Sequence, residues 1–332
     1  MPYYFFFIII LFRGTIISIS SINWVYVWIG LEINLLSFIP LLVCGVSELE
    51  VERSLKYFLV QALGSSFVLF GCFSVINYPH VILSIYMRNI ILLFSFIIKL
   101  GIFPFHFWLP GVMGGLSWIS CLLLAVWQKV GPLFIIIRVI KNIYCWILLI
   151  FGCLGSIIGG VGGINQSQIR ILLAYSSIGH IRWIFIGMVC SFNVTFYYYI
   201  IYRFIIISII SIIYIYPSKI VNLINFRLIS FFFILFMCVL FLSLAGIPPF
   251  FGFFPKLILI NLMTDINIYI YILILILGSL INIFYYLNVF FNLFIGSFLV
   301  NFSSIKLNIR FIIRIFVSIF SVLRIYILGL FT

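Results

Sequence analysis

Lys129 stands near the middle of an apolar segment, residues 118–139, that is long enough to cross a bilayer. At roughly 1.5 Å rise per residue, about 16 Å of hydrocarbon lies on either side of it. A lysine stem cannot snorkel that far, so its ammonium must meet protein, water or a counter-charge. Glu32, Lys99, His180, Arg182 and Lys256 also fall well inside apolar segments. Arg13 and Arg203 lie nearer to segment ends, where a long side chain partly snorkels. Even on the mildest scale a central charge costs about 2.5–3.5 kcal/mol, so several together imply pairing, hydration or work.

One carboxylate among three lysines suits proton transfer better than metal binding. Mg²⁺ or Ca²⁺ needs several oxygen ligands, and Glu32 is the lone acid in the hydrocarbon region. A lysine stripped of water holds its proton less tightly than one in solution. A carboxylate about 6 Å away restores roughly 3 kcal/mol of that hold at an effective dielectric near 20. A Glu32–Lys99 pair that opens and closes would therefore switch Lys99 between keeping a proton and passing it to Lys129. His180 is a suitable next station toward Lys256. The competing reading makes these groups structural ion pairs or satisfied polar contacts between helices. It fits any one residue more easily than Lys99, Lys129 and Lys256 together. His106, in Pro104-Phe105-His106-Phe107-Trp108, could serve the relay or cap carbonyls freed beside it. The run Glu48, Glu50, Glu52, Arg53, Lys56 reads as a solvated loop.

The elements that must position these groups are membrane helices. Of 332 residues, 66% are hydrophobic and 7% charged, with a mean hydropathy of +1.41. Too little polar surface exists to cover a soluble domain. Lipid offers bare backbone no partner, and the apolar runs are too long and unbroken for barrel strands. An all-α polytopic membrane protein follows, with eleven spans at 3–21, 24–45, 57–77, 90–109, 118–139, 144–164, 171–190, 196–216, 228–263, 269–295 and 311–331. The first stretch lacks a basic start and a small-residue cleavage site, so it is expected to be a retained span.

Two spans should break inside the membrane. The ninth contains Gly246-Ile247-Pro248-Pro249, and the fourth is interrupted by Pro104, then Pro110 and Gly111. Lys99 precedes its break and Lys256 follows its own, a mirrored placement suggestive of two inverted five-helix repeats with discontinuous helices. Approximate halves are 1–143 and 144–295, in one membrane domain completed by a C-terminal helix at 311–331. Short loops on the N-terminal side carry Arg53, Lys56, Arg170, Lys219, Arg227, Lys306 and Arg310; the other side carries Arg88, Arg138 and Lys141. That asymmetry places the N-terminus on the positive side. Gly155, Gly159 and Gly163 recur every four residues, a helix-packing stripe rather than a phosphate cradle.

The net charge of +13 comes from 18 scattered Lys and Arg, without the clustered basic face of a nucleic-acid binder. Seven cysteines without CxxC spacing and three isolated histidines argue against zinc, c-type haem or iron–sulfur ligation, so no metal site is expected.

Six stretches carry a family resemblance. They are Trp28-Ile29-Gly30-Leu31-Glu32-Ile33-Asn34-Leu35, Ser54-Leu55-Lys56-Tyr57-Phe58, the run from Lys99 to Pro110, Trp127-Gln128-Lys129-Val130-Gly131-Pro132, Tyr175-Ser176-Ser177-Ile178-Gly179-His180, and the run from Leu244 to Lys256. Together they resemble the subunit 2 family of mitochondrial NADH:ubiquinone oxidoreductase, respiratory complex I, over about four-fifths of the chain. The last forty or so residues match in hydrophobicity alone. The resemblance implies an antiporter-like fold with two inverted five-helix repeats, in an eleven-span form similar to animal versions. It implies a proton-translocating subunit in the mitochondrial inner membrane, with the N-terminus in the matrix. Neighbouring antiporter-like and other membrane-arm subunits, together with lipids, would be its partners. By motif, Glu32 matches the family's membrane glutamate, Lys99 and Lys256 its broken-helix lysines, Lys129 its connecting lysine, and His180 a membrane histidine. NADH, FMN, iron–sulfur clusters and ubiquinone would belong to other subunits. Alternatives are a subunit of a multisubunit cation/proton antiporter and a structural membrane subunit that does not pump.

The chain departs from the family pattern at two places. Gly111-Val112-Met113-Gly114-Gly115 stands where an acidic residue is usual. Arg182 replaces a small residue, setting a like charge beside His180; it either finds a partner in the fold or reflects mitochondrial codon assignment. If the relay holds, Glu32→Gln should uncouple Lys99 and shift the pH dependence of turnover, read from pH–rate profiles of the assembled complex.

Overall fold

The computed structural model describes residues 2–43, 48–77, 82–139, 145–215 and 231–298. The regular structure within them is helical throughout: α1 Pro2–Ser20, α2 Trp24–Val43, α3 Glu48–Asn77, α4 Ile82–Leu100, α5 Trp108–Met113, α6 Trp118–Leu122, α7 Val130–Val139, α8 Cys145–Ile164, α9 Ile169–Cys190, α10 Phe192–Ile215, α11 Phe231–Ala245, α12 Phe253–Asp265 and α13 Tyr269–Phe298. Eight of the expected spans are helices long and apolar enough to cross a membrane. The fourth and ninth are the ones that break, and the eleventh, at 311–331, lies outside the described residues.

Three sequence expectations change. The run from Glu48 to Lys56 is the start of α3 rather than a loop. Glu48 and Glu50 sit in its first turn, where carboxylates complement the helix dipole, and Lys56 bonds Glu52 one turn back. Helix α4 begins about eight residues earlier than the fourth span, continuing through Arg88, whose Nε donates to the Asn89 side chain at 3.1 Å. The third change concerns Lys129. Its span is not one uninterrupted α-helix: α6 passes into a π-turn, Leu123–Trp127, and α7 starts only at Val130. The Gln128 amide bonds the Leu123 carbonyl at 3.0 Å, an i→i−5 step. Pro132 has no amide to offer the Gln128 carbonyl, so the ordinary ladder cannot close here.

Successive helices α1 to α4 pack on one another, and α7 joins them against α1 and α4. Helix α9 touches α5, α8, α10 and α12 and is 83% buried across its span. A helix enclosed on all sides can hold charge away from lipid, which is where His180 and Arg182 lie. The glycine stripe does pack helices: a Cβ at Gly159 would stand 3.2 Å from the Gly179 amide of α9.

The two breaks have the same length, 101–107 and 246–252, and the same opening residue. Gly101 and Gly246 each follow the last helical residue with positive φ, 67° and 76°. Their left-handed backbone turns the chain out of the helix while their amides still bond carbonyls of the final turn. A Cβ at Gly246 would also collide with the Lys256 ammonium. Gly246→Ala should therefore cost more than the ~1–2 kcal/mol of the left-handed conformation alone. Thermal inactivation of the assembled complex should show the loss, exceeding that from Ala at an exposed helical position.

Candidate functional site

The first break is closed by side chains that face it. Trp108 Nε1 donates to the Ile98 carbonyl at 3.2 Å, and Gln61 Nε2 of α3 donates to the Lys99 carbonyl at 3.2 Å. Lys99 occupies the last turn of α4, where free carbonyls favour a cation. Its stem runs across Gly64, which leaves room for it. Glu32 is within electrostatic reach of Lys99, yet among the described residues the two form no ion pair within 4.0 Å. Glu32 Oε2 is buried without a hydrogen-bond partner. His106 contacts the Pro104 carbonyl at 3.3 Å and stacks on Phe107, so it braces the loop, while Trp108 caps the helix end.

A small cavity of about 10 Å³, room for about one water molecule, lies between Lys99 and Lys129. Tyr57, Gln61, Trp108 and Gln128 are among the residues that line it. Lys129 is 3% exposed, and its ammonium has no hydrogen-bond partner among the described residues. The Tyr202 ring faces it, 5.8 Å from Nζ. That ring lies 4.9 Å from the His180 imidazole, so Tyr202 stands between Lys129 and His180.

His180 bonds the Tyr198 hydroxyl through Nδ1 at 2.8 Å. Lys256, in the first turn of α12, reaches back over the second break to donate to the Ala245 carbonyl at 2.8 Å. Its ammonium thereby sits at the C-terminal end of α11, as Lys99 sits at that of α4. Lys129, Arg182 and Lys256 all act electrostatically on His180. The relay candidates therefore form two adjoining groups: Glu32, Lys99 and Lys129 around the first break, and Lys129, His180 and Lys256 around α9. Sequence reasoning missed Gln61, Trp108, Tyr198 and Tyr202. The signal for Trp108 was its place beside Pro104; the tyrosines of α10 carried none, since aromatic residues abound in the chain.

The same stretches decide the family. The family described as NADH:quinone oxidoreductase/Mrp antiporter, TM matches residues 21–282. The NADH-ubiquinone oxidoreductase chain 2 of Lumbricus terrestris is 36% identical over 281 residues, covering 84% of this chain and 83% of the relative. The chain belongs to the NADH-ubiquinone oxidoreductase chain 2 family. Its fold is similar to a chain of respiratory complex I from Thermus thermophilus (TM-score 0.75, 22% identity, 88% of this chain and 71% of that one). It is likewise similar to a chain of the Mrp complex from Dietzia sp. (TM-score 0.79, 18% identity, 86% and 59%).

Within this chain 2 family member, Arg182 has a built niche. Its Nη1 donates to the Ser156 carbonyl of α8 at 2.9 Å. With the Asn282 amide turned to satisfy both neighbours, its oxygen accepts from Arg182 Nη2 at 3.2 Å and its nitrogen donates to the Gly278 carbonyl at 3.1 Å. Gly278 gives the guanidinium its space, because a Cβ there would collide with Nη1. The sequence alternative in which Arg182 finds a partner is the one the fold supports. Asn282→Leu should strand a buried guanidinium donor, costing about 1–3 kcal/mol. Earlier thermal dissociation of the complex would register it.

Proposed function

We propose that this chain is a proton-translocating membrane subunit of mitochondrial NADH:ubiquinone oxidoreductase, moving protons along Glu32, Lys99, Lys129, His180 and Lys256. One observation carries this reading. The Lys129 ammonium is buried, has no hydrogen-bond partner among the described residues, and lies against both a water-sized cavity shared with Lys99 and the Tyr202 ring that touches His180. A structural lysine would be expected to find an acceptor, whereas a transfer station must be able to give its proton away. Each step hands a proton from one nitrogen to the next through water or a hydroxyl. Closing the Glu32–Lys99 gap would hold the proton on Lys99, and opening it would release the proton toward Lys129.

In this reading the chain holds no redox group. NADH, FMN, iron–sulfur clusters and ubiquinone belong to other subunits, whose electron transfer drives the protonation changes. The partners are neighbouring antiporter-like and other membrane-arm subunits of the inner membrane, with the N-terminus in the matrix. The halves 1–143 and 144–295 act as inverted repeats, supported by two equally long breaks, each opened by a positive-φ glycine and served by one lysine. A cation/proton antiporter subunit would share the fold, but it would transport sodium without quinone reduction.

Lys129→Met in an assembled complex should lower proton pumping severalfold while leaving the complex intact. The measurement is proton uptake per electron in sealed vesicles. Unaltered pumping would remove Lys129 from the relay.

A further inference from the structure

The π-turn ahead of Lys129 is held from outside by a single turn of α10. Tyr199, 4% exposed, donates its hydroxyl to the Val126 carbonyl at 2.7 Å. Trp127 is gripped on two sides: the Arg203 guanidinium lies 5.6 Å from its ring, and Phe12 of α1 packs edge-on at 4.2 Å. Arg203 also lies 5.4 Å from the Tyr199 ring. Tyr199 lies three residues before Tyr202 and four before Arg203, and Tyr198 four before Tyr202, so one face of α10 presents hydroxyls or rings to the π-turn, to Lys129 and to His180 at once.

Geometry gives that hold a consequence. An α-helical residue turns the chain by about 100° and advances it by about 1.5 Å. A π-turn inserts one residue without advancing the phase. Were the ladder from Leu123 to Lys129 to relax to i→i−4, Lys129 would re-aim by roughly 100° relative to α6. Its ammonium could not then both line the Lys99 cavity and rest against Tyr202. Pro132 withholds the amide that the Gln128 carbonyl would take, whereas the Val126 carbonyl would rejoin an α-ladder through the Val130 amide. Tyr199 occupies that carbonyl.

We propose that Tyr199 is a positioning residue for proton transfer: its hydroxyl, bonded to the Val126 carbonyl, holds the π-turn that aims Lys129 at both the Lys99 cavity and the Tyr202–His180 pair. The inference rests on the relay reading, and it adds a group that never carries the proton itself. The reacting groups around Lys129 are Lys99 of α4, Glu32 of α2, His180 and Arg182 of α9, Lys256 of α12 and Tyr202 of α10; Tyr199 bears on them through backbone register alone.

The test is Tyr199→Phe in the whole complex, which keeps the ring and deletes the hydroxyl. Protons moved per electron should fall about fivefold, the scale of one lost hydrogen bond, while the KM for quinone stays within twofold. The register from Leu123 to Lys129, read by electron cryomicroscopy of the variant, should shift toward i→i−4. Full pumping per electron, with or without a drop in thermal stability, would overturn the proposal, because a packing role alone predicts that pattern. Should Tyr199→Phe fail to accumulate, Tyr199→Met decides, since its flexible stem fills the space of the ring without supplying a donor. Lost coupling at unchanged quinone KM supports the proposal, and full coupling overturns it. Lys129→Met measured alongside separates the two ideas: normal pumping there sinks the relay, whereas impaired pumping there with a normal Tyr199→Phe sinks only the positioning role.

Discussion

A carbonyl released from a helix in hydrocarbon costs several kcal/mol unless something donates to it. Among the described residues, carbonyls are released inside apolar spans at three places, and at each the donor or the neighbouring group is part of the candidate relay. At the end of α4 the donors are Trp108 and Gln61, at the end of α11 the donor is Lys256 itself, and at the π-turn it is Tyr199. The requirement that buried backbone be satisfied thus ties the lysines to the breaks. A cation beside a helix C-terminus meets the partial negative charge of that end, which lets an ammonium lodge in oil without a carboxylate beside it.

That substitution of dipoles for counter-ions characterises the buried cations from Lys129 onward. After Glu52 the sequence holds one further acid, Asp265, at the end of α12. Lys129, His180, Arg182 and Lys256 are instead faced by a tyrosine ring, a tyrosine hydroxyl and carbonyl or amide oxygens. Neutral acceptors steady a positive charge without neutralising it, which in the proposed relay keeps a proton bound there transferable. Glu32, within reach of Lys99 but not touching it, is the one fixed anion of the central row, and it stands at the first break. An asymmetric row of this kind gives proton movement a natural point of control.

Helix α9 makes the arrangement possible. Because it is enclosed by α5, α8, α10 and α12, its polar residues face protein in every direction. Arg182 shows how complete that enclosure is: its guanidinium spans from Ser156 on α8 to Asn282 on α13, over a glycine that leaves it space. A charge in the middle of a membrane helix is therefore accommodated by neighbours on two other helices.

Much of this was legible in the chain itself. Apolar length determined the helices, since backbone in lipid has no other partner, and Pro and Gly near Lys99 and Lys256 determined where two of them break. Stranded charge picked out Glu32, Lys99, Lys129, His180 and Lys256, because burying a charge is too costly to be casual. Two local misreadings have physical causes: the Glu48–Lys56 run is helical because Glu48 and Glu50 complement its N-terminus and Glu52 pairs with Lys56 one turn on, and the π-turn before Lys129 was hidden because no residue type encodes it. What the tertiary structure alone decided is which groups meet. Tyr198, Tyr199 and Tyr202 look like any of the chain's other tyrosines until α10 is packed against α9 and the π-turn, for a hydroxyl gains its role from the atom it is brought within 3 Å of, and that is set by helix packing rather than by local sequence.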